Sequence, residues 1–344
     1  MKILFLGTKF GNSYLQYKAL KRVCNNVDFL DGYNCFKFKQ IIKTLFVHLN
    51  PKIFENKINR YILKNIKNKY DLIYIKSGEL IGKKLIDELK KRTKKIVFFC
   101  NDNPFVSRDK NKWKLFLESG KYFDLIAFQD KSRIALSKKF GIKKTLLILP
   151  PYDDKIHIEH KISKLSKKKI SNDVIFVGTW SIEKSLFLQK LIKLGLNIKI
   201  FGSRWDKDKN YKKFKERISI GHLYNKDYAK IIQSAKIAIC LFEKKNLDTI
   251  TARSIEIPAI GTFLCSKRTK SMEKIFIENK EAIFFDNPTE CVKKCKYYLN
   301  NPKKRNKISS MGKKKITKIL KPTNINLIKK IIIEVFKNKK INEN

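Results

Sequence analysis

The stretch from Thr251 to Leu264, "TARSIEIPAIGTFL", sets Arg253 and Glu256 three residues apart among apolar neighbours, and Asp248 stands eight residues before Glu256. This is an acid-x7-Glu spacing ahead of a short helix. With the helix starting near Thr249 to Thr251, its first N–H groups suit phosphate oxygens. Glu256 can then accept both hydroxyls of a ribose, and Asp248 can accept from a sugar. Thr251, Arg253 and Glu256 are accordingly candidates for holding a nucleotide, with Asp248 as a candidate catalytic acid. The plainer reading is an Arg253–Glu256 ion pair on a helix surface. That reading explains the pair but not Pro258 and Gly261, which are expected to end the helix just before the next strand.

Similar chemistry is spaced along the chain. "GTKFGN" puts Gly7 and Gly11 between an apolar run and a helix-like stretch, a place where backbone N–H groups approach an anion or simply turn tightly. "GTWSIEKS" repeats the form at Gly178 and Thr179, with Lys184 positioned to reach a diphosphate, and "GSRW" adds Arg204. In "DNPFVSRD", Asp102 and Asn103 follow another apolar run. A carboxylate at that place either orients or deprotonates a hydroxyl, or caps a helix. Asp206-x-Asp208 has the spacing of a metal–diphosphate clamp but stands among exposed charges with no further ligand, so no metal is assigned to it.

The elements that would position these residues alternate. Apolar runs at 2–7, 71–78, 94–102, 124–130 and 145–151 are separated by helical stretches, and the alternation resumes at 173–179, 197–203, 236–242, 262–265 and 281–286. Such alternation predicts parallel sheets covered on both faces. Three helices are expected at 288–299, 302–318 and 324–340. The fold class is therefore α/β: two doubly wound Rossmann-like domains facing a cleft. The first spans 1–155 on the acceptor side and the second 173–320 on the nucleotide side. A charged linker covers 156–172, and a terminal helix at 321–344 crosses back to the first domain. In open α/β sheets ligands sit beyond the carboxyl ends of strands, which is where Gly7, Asp102, Gly178 and Arg204 fall.

Composition narrows the classes. The apolar fraction of 43% and 24 Phe argue against disorder. No apolar run reaches membrane-span length, and "MKILFLGTKFGN" lacks a signal peptide's cleavage site, so a cytoplasmic protein is expected. Seven Cys include no C-x-x-C pair; Cys291 and Cys295 share a helix face, but two ligands make no zinc site. His157 and His160 read as surface residues of the linker. The formal charge of +47 comes mostly from Lys, with only 10 Arg, spread along the whole chain. Specific nucleic-acid recognition favours Arg, so no specific nucleic-acid partner is expected. An anionic ligand or peripheral contact with the inner face of a membrane suits the charge better.

Residues 251–312 resemble the C-terminal half of CgeB-like glycosyltransferases, through R-x-x-E-x-x-A-x-G followed by a strand, a helix, an acid-flanked strand and "YYLNNPKKR". "DVIFVGT", "IFGSRW" and "NDNP" match more loosely. The resemblance implies a GT-B fold in which the second domain binds a nucleotide-sugar and the first an acceptor. It implies that Glu256 holds the donor ribose, that Asp248 stands where related enzymes place the first Glu of E-x7-E, and that His222 of "GHLY" borders the base. Lys184 and Arg204 would face the diphosphate. Gly7, Gly11 and Asn103 would lie on the acceptor-side loops. It implies no cofactor and no bound metal. The expected function is transfer of a sugar from a nucleotide-diphosphate donor to a hydroxyl, on a lipid-linked or surface-glycan acceptor in envelope synthesis. The alternatives are a nucleotide-sugar epimerase of the same fold and a basic, non-catalytic protein that binds nucleic acid or membrane.

Overall fold

The computed structural model describes residues 1–162 and 172–337. Most of the expected linker, residues 163–171, lies outside the described residues, as does the end of the last expected helix. The described chain forms two compact units. One comprises Met1–Leu149, Lys244–Leu247 and the segment from Asn324; the other comprises Pro150–Glu243 and Asp248–Thr323.

The first unit holds β1 (Lys2–Leu6), β2 (Asn26–Leu30), β3 (Tyr70–Ile75), β4 (Thr93–Cys100), β5 (Leu125–Phe128) and β6 (Thr145–Leu147). They form one parallel sheet in the order β2-β1-β3-β4-β5-β6. In register, Ile3 faces Val27 on one side and Leu72 on the other. Successive side chains feed opposite cores, as a strand period of two requires. Ile3 and Phe5 pack on one face with Tyr74 and Phe99, while Leu4 and Leu6 pack on the other with Ile73 and Phe98. The Asn324–Phe336 helix closes the Ile3 face through Leu327, Ile328 and Ile331.

The second unit holds β7 (Asn172–Val177), β8 (Ile198–Gly202), β9 (Ile218–Ile220), β10 (Ala235–Cys240), β11 (Phe263–Lys267) and β12 (Ile283–Phe285), in the order β12-β11-β10-β7-β8-β9 and all parallel. The strand order reverses between β7 and β10, as it does between β1 and β3 in the first unit. Each reversal opens a crevice at the carboxyl ends of the strands, where such sheets take ligands. The described residues contain no helix long and apolar enough to cross a membrane.

Two strands lie outside the sequence expectation. β2, "NVDFL", and β9, "ISI", are the edge strands beside β1 and β8. Each is short and half covered, so it lacks the continuous apolar run of a central strand. Pro258 is a second correction: the helix runs from Ala252 to Ile260 with Pro258 inside it. Gly261 alone ends it, in the left-handed region at φ 103°, donating its N–H to the Ile257 and Pro258 carbonyls.

Candidate functional site

At the β7–β10 crevice, Gly178 and Thr179 leave β7 and Glu243 follows β10. Lys184, in the first turn of the Ile182–Lys193 helix, places its ammonium 2.9 Å from Glu243 Oε2, with both side chains largely buried. The expected diphosphate cation is thus charge-compensated across the crevice. Asp248 is drawn to the same place, its N–H donating to the Glu243 carbonyl at 3.2 Å.

The neighbouring strand end is locked to this one. Gly202 sits at φ +149°, and a Cβ there would come within 2.1 Å of the Gly178 carbonyl oxygen. Only glycine permits so close a backbone approach. The buried Trp205 indole N–H donates to the same carbonyl at 2.9 Å, making Trp205 a packing residue. Between them Arg204 is exposed and held in the left-handed region at φ 66°. Thr179 Oγ1 and Ser203 Oγ are 3.3 Å apart. Beyond β9, His222 is exposed and stacked on Tyr224 with ring centroids 5.5 Å apart. These loops leave hydrogen-bonded neighbouring strands, β10, β7, β8 and β9, and so form one rim.

The Ala252–Ile260 helix enters from β10 behind a reciprocal cap. The Thr251 side chain accepts from the Ser254 N–H, and the Ser254 side chain accepts from the Thr251 N–H. Such a cap contributes about 1 kcal/mol to helix stability. Glu256 is buried, and Tyr228 OH donates to its Oε2 at 2.7 Å. Burial and then the adjacent Glu256 carboxylate push the Tyr228 hydroxyl well above its usual pKa, so it remains a donor.

His157 corrects the surface reading: it is buried, 5.7 Å from the Tyr228 ring edge-to-face, with Nε2 3.7 Å from Glu256 Oε1. Its Nδ1 accepts from the Asp153 N–H at 3.0 Å, which assigns the ring proton to Nε2, on the side of Glu256. The Arg253–Glu256 surface pair does not form among the described residues. Arg253 is half-buried, and its Nε is buried without a partner. Sequence reasoning missed Tyr228 and misplaced His157; both lie outside the Glu256 motif and reach it only through tertiary packing.

Asp206 is exposed, while the Asp208 carboxylate accepts from the Trp180 and Gln189 side chains and from the Asn210 N–H. Asp208 therefore ties the β8 loop to the preceding helix. A cavity lined by Gln233, Thr262, Arg305, Ser309 and Lys313 opens at the starts of β10 and β11, the edge opposite the rim.

In the first unit, Gly7 follows β1 with the Ser13 hydroxyl accepting from the Thr8 N–H, and Gly11 opens the Gly11–Val23 helix at φ 52°. Asp102 is bound by Arg108 at 2.9 Å and Lys112 at 3.9 Å. Burial would raise its pKa, but Lys112 and then Arg108 outweigh that and hold it at about 2, which suits a fixed anion better than a general base. It caps no helix; Asn103 instead accepts from the Phe105 N–H to close a turn. Asn103 is fully buried and donates two hydrogen bonds to Asn246, from its N–H to Oδ1 at 3.1 Å and from its side-chain amide to the carbonyl at 3.2 Å.

The residue that sequence reasoning passed over here is Lys76, directly after β3 at the strand-order reversal. Its ammonium donates to Phe99 O and Asn101 Oδ1, both at 3.1 Å, and lies 3.7 Å from the Phe99 ring centroid. Burial, only partly offset by nearby acidic groups, lowers its pKa to about 7. The available signal was "IYIKSG", a lysine closing an apolar run.

Cysteine yields a further correction. Cys265 of β11 joins Cys291 and Cys295, so three fully buried thiols lie within 4.8 Å of one another. The spacing of Cys291 and Cys295 could not disclose a partner on another element. All three pack among the aliphatic and aromatic core of the unit.

Comparison with known proteins agrees with this architecture. Residues 183–323 match a family model described as glycosyl transferase-like. Anabaena HepE, solved in complex with UDP and glucose, superposes with a TM-score of 0.66 at 13% identity, over 96% of this chain and 98% of that one. Sucrose-phosphate synthase from Thermosynechococcus elongatus gives 0.69 at 11% identity, over 98% and 99%. The E. coli trehalose-6-phosphate structure bound with UDP-2-fluoro glucose gives 0.65 at 12%, over 97% and 99%. The fold is GT-B. Sequence comparison with curated proteins finds no match. Within the GT-B fold, the matched family segment contains Lys184, Arg204, His222, Asp248 and the whole Glu256 helix, whereas Gly178 and Thr179 precede it.

Proposed function

We propose that this protein is a glycosyltransferase of the CgeB-like kind, moving a hexosyl group from a nucleoside-diphosphate donor to a hydroxyl acceptor. The observation that carries the reading is Glu256: a buried carboxylate at the middle of a short capped helix, with Oε2 held by Tyr228 and Oε1 facing the proton-bearing nitrogen of His157. A carboxylate fixed in this way retains lone pairs for the two vicinal hydroxyls of a ribose. Arg253, with an unpartnered buried Nε, and the N–H groups after Thr251 supply donors to phosphate oxygens. Lys184 and Arg204 add positive charge along the β7 and β8 loops, with Glu243 holding the Lys184 ammonium in place. His222 and Tyr224 offer a stacked face to a base.

On this reading, rate comes from orienting two substrates and from stabilising the departing diphosphate. Protein cations, rather than a D-x-D-bound metal, meet that charge, since Asp208 is engaged as an acceptor by three donors. Asp248 stands near the transferred sugar. The acceptor is a lipid-linked or surface glycan of the cell envelope. UDP-hexoses are the first donors to try, since neighbours of the same fold were solved with UDP and with UDP-glucose.

The test is calorimetric titration of UDP, GDP, dTDP and CDP into the full chain, repeated with Glu256→Ala and Tyr228→Phe. One nucleotide should bind saturably at moderate salt. Glu256→Ala should weaken it about a hundredfold and Tyr228→Phe about fivefold, as expected for losing a charged acceptor against losing only its positioning bond. Absence of binding by a folded protein would sink the reading.

A further inference from the structure

Between Asp31 and Glu55 the chain carries no acidic residue, and four lysines lie there: Lys37, Lys39, Lys43 and Lys52. This segment leaves the carboxyl end of β2 and forms the Lys39–His48 helix and the Pro51–Phe54 turn. Its inner side is well anchored through Phe36, Phe46 and Pro51, which are buried. Its outer side is apolar: Phe38 is 61% exposed, Ile41 57%, Leu49 43% and Ile53 65%. Ile41 and Leu45 stand one turn apart on the Lys39–His48 helix, and Phe38 and Leu49 flank its two ends, so the four continue an apolar stripe past the helix at both ends. Elsewhere among the described residues exposed apolar side chains stand singly or in small groups such as Ile182 with Leu186, whereas four lie here within sixteen residues that carry lysines and no acid.

We infer that this face is a docking surface for an anionic lipid bilayer. An apolar stripe flanked by lysines, without acids, is the pattern of a helix lying in the membrane interface, the stripe entering the acyl boundary and the ammonium groups meeting headgroups. Charge complementarity selects a negatively charged surface over a neutral one. Lys37 lies over the Phe38 ring at 5.5 Å, which keeps its ammonium beside the stripe, while Lys43 lies over the buried Tyr33 ring at 4.8 Å and Lys39 is paired with Asp31 at 3.2 Å. Lys52 is engaged by Glu118 at 2.6 Å, but both are about half exposed, where such a pair contributes little.

The surface is also tied to the ligand end of its own sheet. Asn111, on the loop after β4 that begins with Asn101 and Asp102, donates its N–H to Val47 O at 3.3 Å and its side-chain amide to His48 O at 3.1 Å. A bilayer bound there would sit against the loops at which the first sheet presents its strand ends. The inference goes beyond the transfer reaction and does not depend on it.

Co-sedimentation of the full chain with vesicles tests it, without nucleotide and at moderate salt. The wild-type protein should bind vesicles of phosphatidylcholine mixed with phosphatidylglycerol, and bind phosphatidylcholine alone much more weakly. Phe38→Ser/Ile41→Ser/Ile53→Ser keeps every charge and should weaken binding to the mixed vesicles by more than about tenfold. Ile277→Ser/Ile319→Ser, at exposed apolar positions of the second unit, should leave it unchanged. If the triple variant binds like wild type, the general basic charge suffices and the inference falls. It falls equally if wild type ignores anionic vesicles, or if light scattering shows the stripe covered by a second copy of the chain. Circular dichroism and thermal unfolding establish that the triple variant is folded. Nucleotide titration of the same variant should be unaffected, which separates failure here from failure of the donor site.

Discussion

Two lysines stand beside the strand-order reversals of the two sheets, Lys76 at the end of β3 and Lys184 in the helix that follows β7, and their surroundings differ. Lys184 faces Glu243 across the β7–β10 crevice at 2.9 Å, a partner of full opposite charge. Lys76, directly after β3, donates to a carbonyl and an amide oxygen and lies over the Phe99 ring, with no ion pair among the described residues. Burial without a close counter-charge brings Lys76 to a pKa of about 7. The same fold can therefore hold a lysine against a carboxylate, where it suits a diphosphate, or as an amine that gives up its proton near neutrality.

The largest expected effect separates the two by ligand. Lys184→Met should weaken nucleoside-diphosphate binding by at least about tenfold, the worth of one charge-assisted contact, while Lys76→Met should leave it within about twofold. Calorimetry reads both, and equal losses would erase the distinction. A smaller effect concerns stability. Glu243→Gln leaves the Lys184 charge uncompensated and should lower unfolding free energy in urea by about 2 kcal/mol, whereas Lys76→Met replaces a buried amine by an apolar chain at a cost below about 1 kcal/mol.

The third effect is in pH. The folded-state pKa of Lys76 is depressed from 10.5 to about 7, so between those values the unfolded chain binds more protons and stability rises with pH. The contribution is complete above 10.5 and disappears as pH falls through about 7. The stability difference between wild type and Lys76→Met should follow that curve. A flat difference over the same window would mean that Lys76 stays charged.

The sequence disclosed what is local. Central strands stood out as apolar runs because both faces are buried, and the Thr251–Gly261 helix stood out by the spacing of Arg253 and Glu256 and by its terminal glycine. Edge strands β2 and β9 did not, because a half-covered strand carries half the signal. The site was legible only along single elements. Glu256 could be singled out from spacing, but Tyr228 lies 28 residues away and His157 further still, and no periodicity connects them. Cys265 joined the two helical cysteines for the same reason. Composition also concealed the stripe at Phe38 and Ile41, since lysine is plentiful throughout and exposure is a property of the fold.

The Asn324–Phe336 helix has a bearing on how the molecule is made. Its Leu327, Ile328 and Ile331 complete a core shared with Ile3, Phe5 and Leu20, residues that leave the ribosome long before it does. The first unit is therefore completed only by the end of the described chain, while the second, drawn from Pro150 to Thr323 apart from one short loop, has all its strands before that helix begins. A released chain ending at Thr323 would carry every strand of both sheets, but one face of the first would keep only the cover that the Gly11–Val23 helix gives it.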